Sequence, residues 1–148
     1  MQAPQWNTED KGGSLRKWIV ELNVEARRQF LEAGTHVEIF FIFNDEGLVE
    51  VVPIVGMDKD EMIRELKKML AERSGYAFIH IAEATARHMD SAAKTDALLL
   101  HAESRDGLCE AWISTVVLRG DEKLLLDEVR VEGSRIDGRF AGIFRDID

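Results

Sequence analysis

Val37-Glu38-Ile39-Phe40-Phe41-Ile42-Phe43-Asn44-Asp45-Glu46-Gly47-Leu48-Val49-Glu50-Val51-Val52-Pro53-Ile54 is the stretch on which the reading of the fold turns. Two β-rich runs, residues 37–43 and 48–54, flank a short polar segment ending in Gly47, which is the pattern of a β-hairpin. Residues 39–43 are apolar at every position, so neither face of that strand is left for water. It reads as a central strand with a helix over one face. A second layer or a partner subunit is needed over the other.

Two amphipathic helices frame the hairpin. Ser14 fits an N-cap, and Leu15, Trp18, Ile19, Leu22, Ala26 and Phe30 follow at helical spacing until Gly34 stops the run. That predicts a first helix over about 14–33. Downstream, Asp58 and Glu61 form a capping-box pattern, with Met57 and Met62 placed as a hydrophobic staple. Met62, Ile63, Leu66, Met69 and Leu70 supply the buried stripe. Asp58, Asp60 and Glu61 early and Arg73 late suit the helix dipole, and Ser74-Gly75 ends a second helix over about 58–73.

Beyond it the chain reads as an antiparallel meander with strands over 76–84, 97–103, 110–118, 123–131 and 136–144. Turns fall at 105–107, 119–122 and 132–134, each rich in Gly or charge. Five alanines between 82 and 93 offer a short helix as the alternative to a longer strand. The order α-β-β-α-β-β-β-β-β defines an α+β fold, two helices packed on a largely antiparallel sheet. Residues 1–13 lack periodicity and read as a loose amino-terminal arm on a single domain over 14–148.

The chain has 148 residues, 45% hydrophobic and 32% charged, with 28 acidic against 19 basic side chains and a net charge of −9. Phosphate backbones and anionic membrane surfaces bind through Lys and Arg, so neither nucleic acid nor membrane is expected as a partner. The densest basic group, Arg64, Lys67, Lys68 and Arg73, alternates with Asp60, Glu61, Glu65 and Glu72. Uninterrupted apolar runs reach five residues, at 39–43 and 51–55, against about 20 for a membrane span. Cys109 is the only cysteine, which excludes an internal disulfide and fits a reducing compartment. No charged-then-apolar segment opens the sequence, and a soluble, cytoplasmic protein is expected. Glu110 disfavours a thiolate beside it, so Cys109 reads as structural or incidental.

The sequence holds no Gly-rich phosphate loop, nucleophile elbow, His-Glu-x-x-His or cysteine pair, nor the His-x-His and spaced Asp of zinc-dependent isopeptidases. No cofactor and no metal are expected. Phe78-Ile79-His80-Ile81-Ala82-Glu83-Ala84, then Asp96-Ala97-Leu98-Leu99-Leu100, then Glu110-Ala111-Trp112, resembles small bacterial proteins of unassigned role; the likeness implies no activity.

One constellation carries candidate chemistry. Strand alternation places Tyr76, Phe78 and His80 on one face, and Leu99, His101 and Glu103 on one face of the next strand. A turn centred near residues 90–91 sets His80 opposite His101. A hairpin centred on Asp106-Gly107 sets Trp112 opposite His101 and Glu110 opposite Glu103. The candidate catalytic residues are then His80, His101, Glu103 and Glu110, with Trp112 as the candidate ligand-binding wall. A one-residue slip in either register scatters the patch. Two imidazoles and a carboxylate suit a divalent metal, or acid–base chemistry beside an aromatic wall; the plain alternative, favoured without a metal-spacing motif, is a pair of semi-buried histidines hydrogen-bonded on a covered sheet face. Glu83 falls on the opposite face and reads as exposed, and His36 and His88 read as solvated. The expected function is a non-catalytic small-molecule or protein binding and assembly module, a homo-oligomer with a dimer favoured. The alternative is a small hydrolase or isomerase using the His/Glu patch.

Overall fold

The apolar run at 39–43 lies in β1 (Ile39–Asn44), which turns into β2 (Gly47–Pro53). This computed structural model describes residues 1–87, 94–132 and 140–144. A helix, α1 (Lys11–Ala33), precedes the hairpin, and α2 (Lys59–Glu72) follows it. Then come β3 (Ala77–Arg87), β4 (Lys94–Ser104), β5 (Cys109–Arg119), β6 (Glu122–Leu125) and β7 (Val129–Glu132). All seven strands form one antiparallel sheet in the order β2-β1-β3-β4-β5-β6, with β7 also paired to β5. The fold is α+β, and the element order is the one the sequence predicts.

The two helices cover opposite faces of the sheet. Leu15, Trp18, Ile19, Leu22, Ala26 and Phe30 of α1 bury with Phe43, Ala77, Ile79, Ile81, Leu98, Leu100, Ala102 and Trp112. Met62, Leu66, Met69 and Leu70 of α2 bury with Phe40, Ile42, Phe78, Phe140, Ile143 and Phe144. Alternate residues of β1 and β3 thus go to different helices, as a period of two requires. β1 lies inside the sheet, one strand in from β2; the chain buries Phe40, Ile42 and Phe43 from both faces and leaves Phe41 half-buried. The face opposite α1 needs no partner subunit.

The ends of α1 differ from expectation at the start and agree at the stop. Its N-cap is Asp10, whose carboxylate accepts the Gly13 N–H, while Ser14 is buried one turn in and exchanges hydrogen bonds with Asn7. Gly34 closes the helix at φ 75°, with its N–H donated to the Phe30 carbonyl at 2.7 Å. The residues before α1 carry anchoring contacts of their own. Trp6 stacks on Phe43 at 5.5 Å and donates its indole N–H to the Asp45 carbonyl at 2.9 Å. Trp6 and the Asn7–Ser14 hydrogen bonds dock this segment, and no periodic pattern announces it.

Two expectations about the last strands are corrected. The strand read over 123–131 is two short strands broken at 126–128, where the Arg27 guanidinium donates to the Leu126 carbonyl at 2.9 Å and to Ser114 Oγ at 2.7 Å. The strand read over 136–144 fails at its end: 140–142 form a turn and 143–144 are helical, with Phe140, Ile143 and Phe144 buried. The turn read at 132–134 lies mostly, and His88 entirely, outside the described residues. β3 continues through Arg87, which decides for the longer strand over a helix up to that point. Among the described residues no helix is long and apolar enough to cross a membrane.

Asp58 caps α2 as predicted, its Oδ1 accepting the Glu61 N–H at 2.8 Å. That bond holds Asp58 below the ordinary carboxyl range, and the hydrogen bond to Asp58 pushes Glu61 up. Leu66, fully buried at the centre of the α2 stripe, tests the packing. Leu66→Ala should cost about 2–5 kcal/mol through lost transfer energy and a cavity. Exposed Lys68→Ala should stay within about 0.5 kcal/mol. Urea denaturation of both variants checks the order, and equal losses would place the solvent face of α2 in a packed interface.

Candidate functional site

The site lies on the α2 side of the sheet, where successive strands set their inward residues in rows. One row runs Phe40, His80, His101 and Ala111 across β1, β3, β4 and β5. The next runs Ile42, Phe78, Glu103 and Cys109. His80 and His101 are therefore direct cross-strand neighbours, as the alternation predicts. Both are buried, at 5% and 3% exposure, and Glu103 is buried beside them at 6%.

Each imidazole has a carboxylate. His80 Nε2 lies 2.5 Å from Glu38 Oε2, and the ring sits between those of Phe40 and Phe140, each 4.8 Å away between centroids. His101 Nε2 lies 3.0 Å from Glu103 Oε2, but the approach is poorly aligned, and among the described residues that nitrogen has no hydrogen-bond partner. Glu103 is held from above: the Gly142 N–H donates to both of its oxygens at 3.0 and 3.1 Å. Phe78 meets the His101 ring edge-on at 5.6 Å. Two histidine–carboxylate pairs thus stand side by side under residues 140–144. An imidazole beside a carboxylate suits proton handling or metal ligation.

Glu110 and Trp112 do not belong to this patch. β5 pairs with β4 one residue away from the predicted register: His101 faces Ala111, Glu103 faces Cys109, and Leu100 faces Trp112. The reason is the turn. Ser104 and Leu108 close it through the Ser104 N–H to the Leu108 carbonyl at 2.9 Å, leaving the three-residue loop Arg105-Asp106-Gly107. Gly107 takes φ 103°, a conformation that favours glycine. An odd loop shifts the pairing by one residue and moves every β5 side chain to the other face. Glu110 instead meets Arg16 of α1 at 3.4 Å. Trp112 packs in the α1 core, with the Arg130 guanidinium 3.9 Å over its ring.

The same shift brings Cys109 in. The ligand atoms of His101, Glu103 and Cys109 all lie within 4.8 Å of one another. Glu38, two residues before Phe40, was open to the same alternation argument, but that requires knowing that β1 pairs with β3. Glu83 is exposed as expected and accepts from Thr35 Oγ1 at 2.7 Å. His36 is half-buried, with Nδ1 2.6 Å from the Val37 carbonyl. Comparison of the chain with protein-family models, with curated proteins and with solved structures finds no match. Function is therefore read from chemistry and geometry.

The turn that sets the register is itself tied down by side chains. Tyr76 donates its hydroxyl to Asp106 Oδ2 at 2.8 Å, Ser104 Oγ donates to Asp106 Oδ1, and the Leu108 N–H donates to Ser104 Oγ at 3.0 Å. Burial, with the hydrogen bond to Asp106, pushes Tyr76 up to about 12. Burial of Asp106 opposes ionisation, but the Ser104 and Tyr76 hydrogen bonds outweigh it and lower its pKa.

Tyr76 is the only tyrosine, so tyrosinate absorbance reads this network directly. The folded protein should titrate with a midpoint near 12, against about 10 in denaturant. A folded value above the unfolded one means that this stabilisation is complete below about pH 10 and is lost as pH rises through the folded value. Tyr76→Phe should remove that alkaline loss. The Asp106 contribution runs the other way: it is present above about pH 4 and lost as pH falls through the lowered value. A native midpoint near 10 would show a solvated phenol and a turn held by other means.

Proposed function

We propose that the chain is a non-catalytic assembly and binding module that pairs with a second copy through the β2 end of its sheet. The observation that carries this reading is the contrast between the two sheet edges. β5 is covered along its length by β6 and β7, each of four residues. Short terminal strands of this kind protect an edge. β2 is terminal, seven residues long, and exposes Leu48, Val49 and Val51. Its one charged residue, Glu50, is paired with Arg73 at 3.1 Å. A pairing irregularity between Ile42 and Phe43 and the terminal Pro53 bound this stretch without placing a lone charge on it. α1 lies over β3, β4 and β6, and half-buried Phe41 adds to the apolar surface next to Val51. Backbone groups with no neighbouring strand among the described residues, beside apolar side chains, suit a second strand of the same kind.

The hydrolase or isomerase reading has one observation in its favour, the direct pairing of His80 with His101. A general base must reach the proton that it takes. Phe140 lies over His80, so catalysis there requires residues 140–144 to lift. The acid–base reading is therefore second.

Sedimentation equilibrium tests the assembly. The protein should be a dimer at micromolar concentration. Val51→Lys, at a residue 45% exposed, should yield a folded monomer, whereas Leu118→Lys, 70% exposed at the opposite end, should leave the dimer intact. A strict monomer at high micromolar concentration, or a dimer indifferent to Val51→Lys, removes the β2 interface.

A further inference from the structure

We propose that His101, Glu103 and Cys109 form a binding site for a divalent transition metal of the zinc class. The three residues arrive by simple geometry. His101 and Glu103 are two apart on β4 and share a face, and the three-residue turn at 105–107 sets Cys109 opposite Glu103. Imidazole nitrogen, carboxylate oxygen and thiolate sulfur together form a donor set suited to zinc.

Their placement is close to what a metal needs. A tetrahedral zinc holds nitrogen and oxygen at about 2.0–2.2 Å and sulfur at about 2.3 Å, which sets the ligand atoms roughly 3.5 Å apart. Here His101 Nε2 and Glu103 Oε2 are 3.0 Å apart, and all three ligand atoms lie within 4.8 Å of one another.

An independent observation points to a ligand. His101 is 3% exposed, yet its Nε2 has no hydrogen-bond partner among the described residues while lying against Glu103. Buried polar atoms are nearly always satisfied, and one that is not calls for an ion or a water. A metal satisfies this nitrogen and the adjoining carboxylate oxygen together. The Gly142 N–H on the carboxylate is the kind of outer contact that orients a ligating group. Three protein donors leave one tetrahedral position for water or another ligand.

Cobalt(II) is the probe, because its bond to thiolate gives an ultraviolet charge-transfer band. Protein purified without a metal-affinity tag and stripped with chelator should take up one equivalent of Co2+, show that band, and lose it on addition of Zn2+. Cys109→Ser should abolish the band. His101→Gln and Glu103→Gln should each weaken uptake by at least about tenfold, the lower end of the loss seen when only an outer partner is removed. His36→Gln, at a histidine bonded to its neighbouring carbonyl, should leave uptake unchanged. Circular dichroism checks each fold, and Cys109→Ser decides the matter should a core variant unfold. Folded wild-type protein with no charge-transfer band overturns the site, as does a band and affinity that survive His101→Gln.

Discussion

A strand without a polar face cannot lie at the surface of a sheet, and β1 is such a strand. Phe40 and Ile42 go to one side and Phe43 to the other, all three fully buried. Burying each of these side chains is worth roughly 1.5–3 kcal/mol, and that gain is available only if both faces are roofed. α1 and α2 meet the requirement from either side of β1 in the sequence. The long β3 and β4 strands extend the two-layered arrangement to the middle of the sheet. His80 owes its position to this constraint. It is the even-numbered residue that follows Phe78 toward α2, directly beside Phe40.

The sequence makes legible what depends on local period. The six apolar positions read for α1 are all buried, and those of α2 are buried except half-buried Ile63. The His80–His101 pairing follows from alternation and from the register of β3 against β4, which the expected hairpin matches. What is not legible hangs on the conformation of a single residue. Asp106-Gly107 fits the centre of a two-residue turn as well as the last two places of a three-residue one. Both need Gly107 at positive φ, but a two-residue type I′ turn also needs Asp106 there; Asp106 keeps a negative φ, so the three-residue loop forms and Glu110 and Trp112 exchange faces with Cys109 and Ala111. Side-chain period cannot arbitrate, because 109–113 are mixed enough to bury from either face.

Phe140, Ile143 and Phe144 illustrate a different limit. Their spacing of three and four is helical, yet a five-residue window is too short to outweigh the apparent sequence of strands before it. Pairing of β1 with β3 is a further property beyond local reading. The two strands are separated by β2 and α2, and Glu38 joins His80 only because the chain returns to the far side of β1. Non-local pairing of this kind is settled by the whole sheet.

Polar groups on the α2 face are costly there. An unaligned buried imidazole and a carboxylate at 6% exposure lower stability unless something completes their bonding. Glu38 supplies that for His80, and Gly142 supplies part of it for Glu103. The remaining deficit is local to His101 Nε2 beside Glu103, on a hairpin that Glu103 joins to residues 140–144. A cation held there binds the folded arrangement and not the extended chain. Its binding free energy is then also folding free energy for the hairpin and the segment above it. The groups that are hardest to explain as packing are thus the ones placed to couple a ligand to the fold.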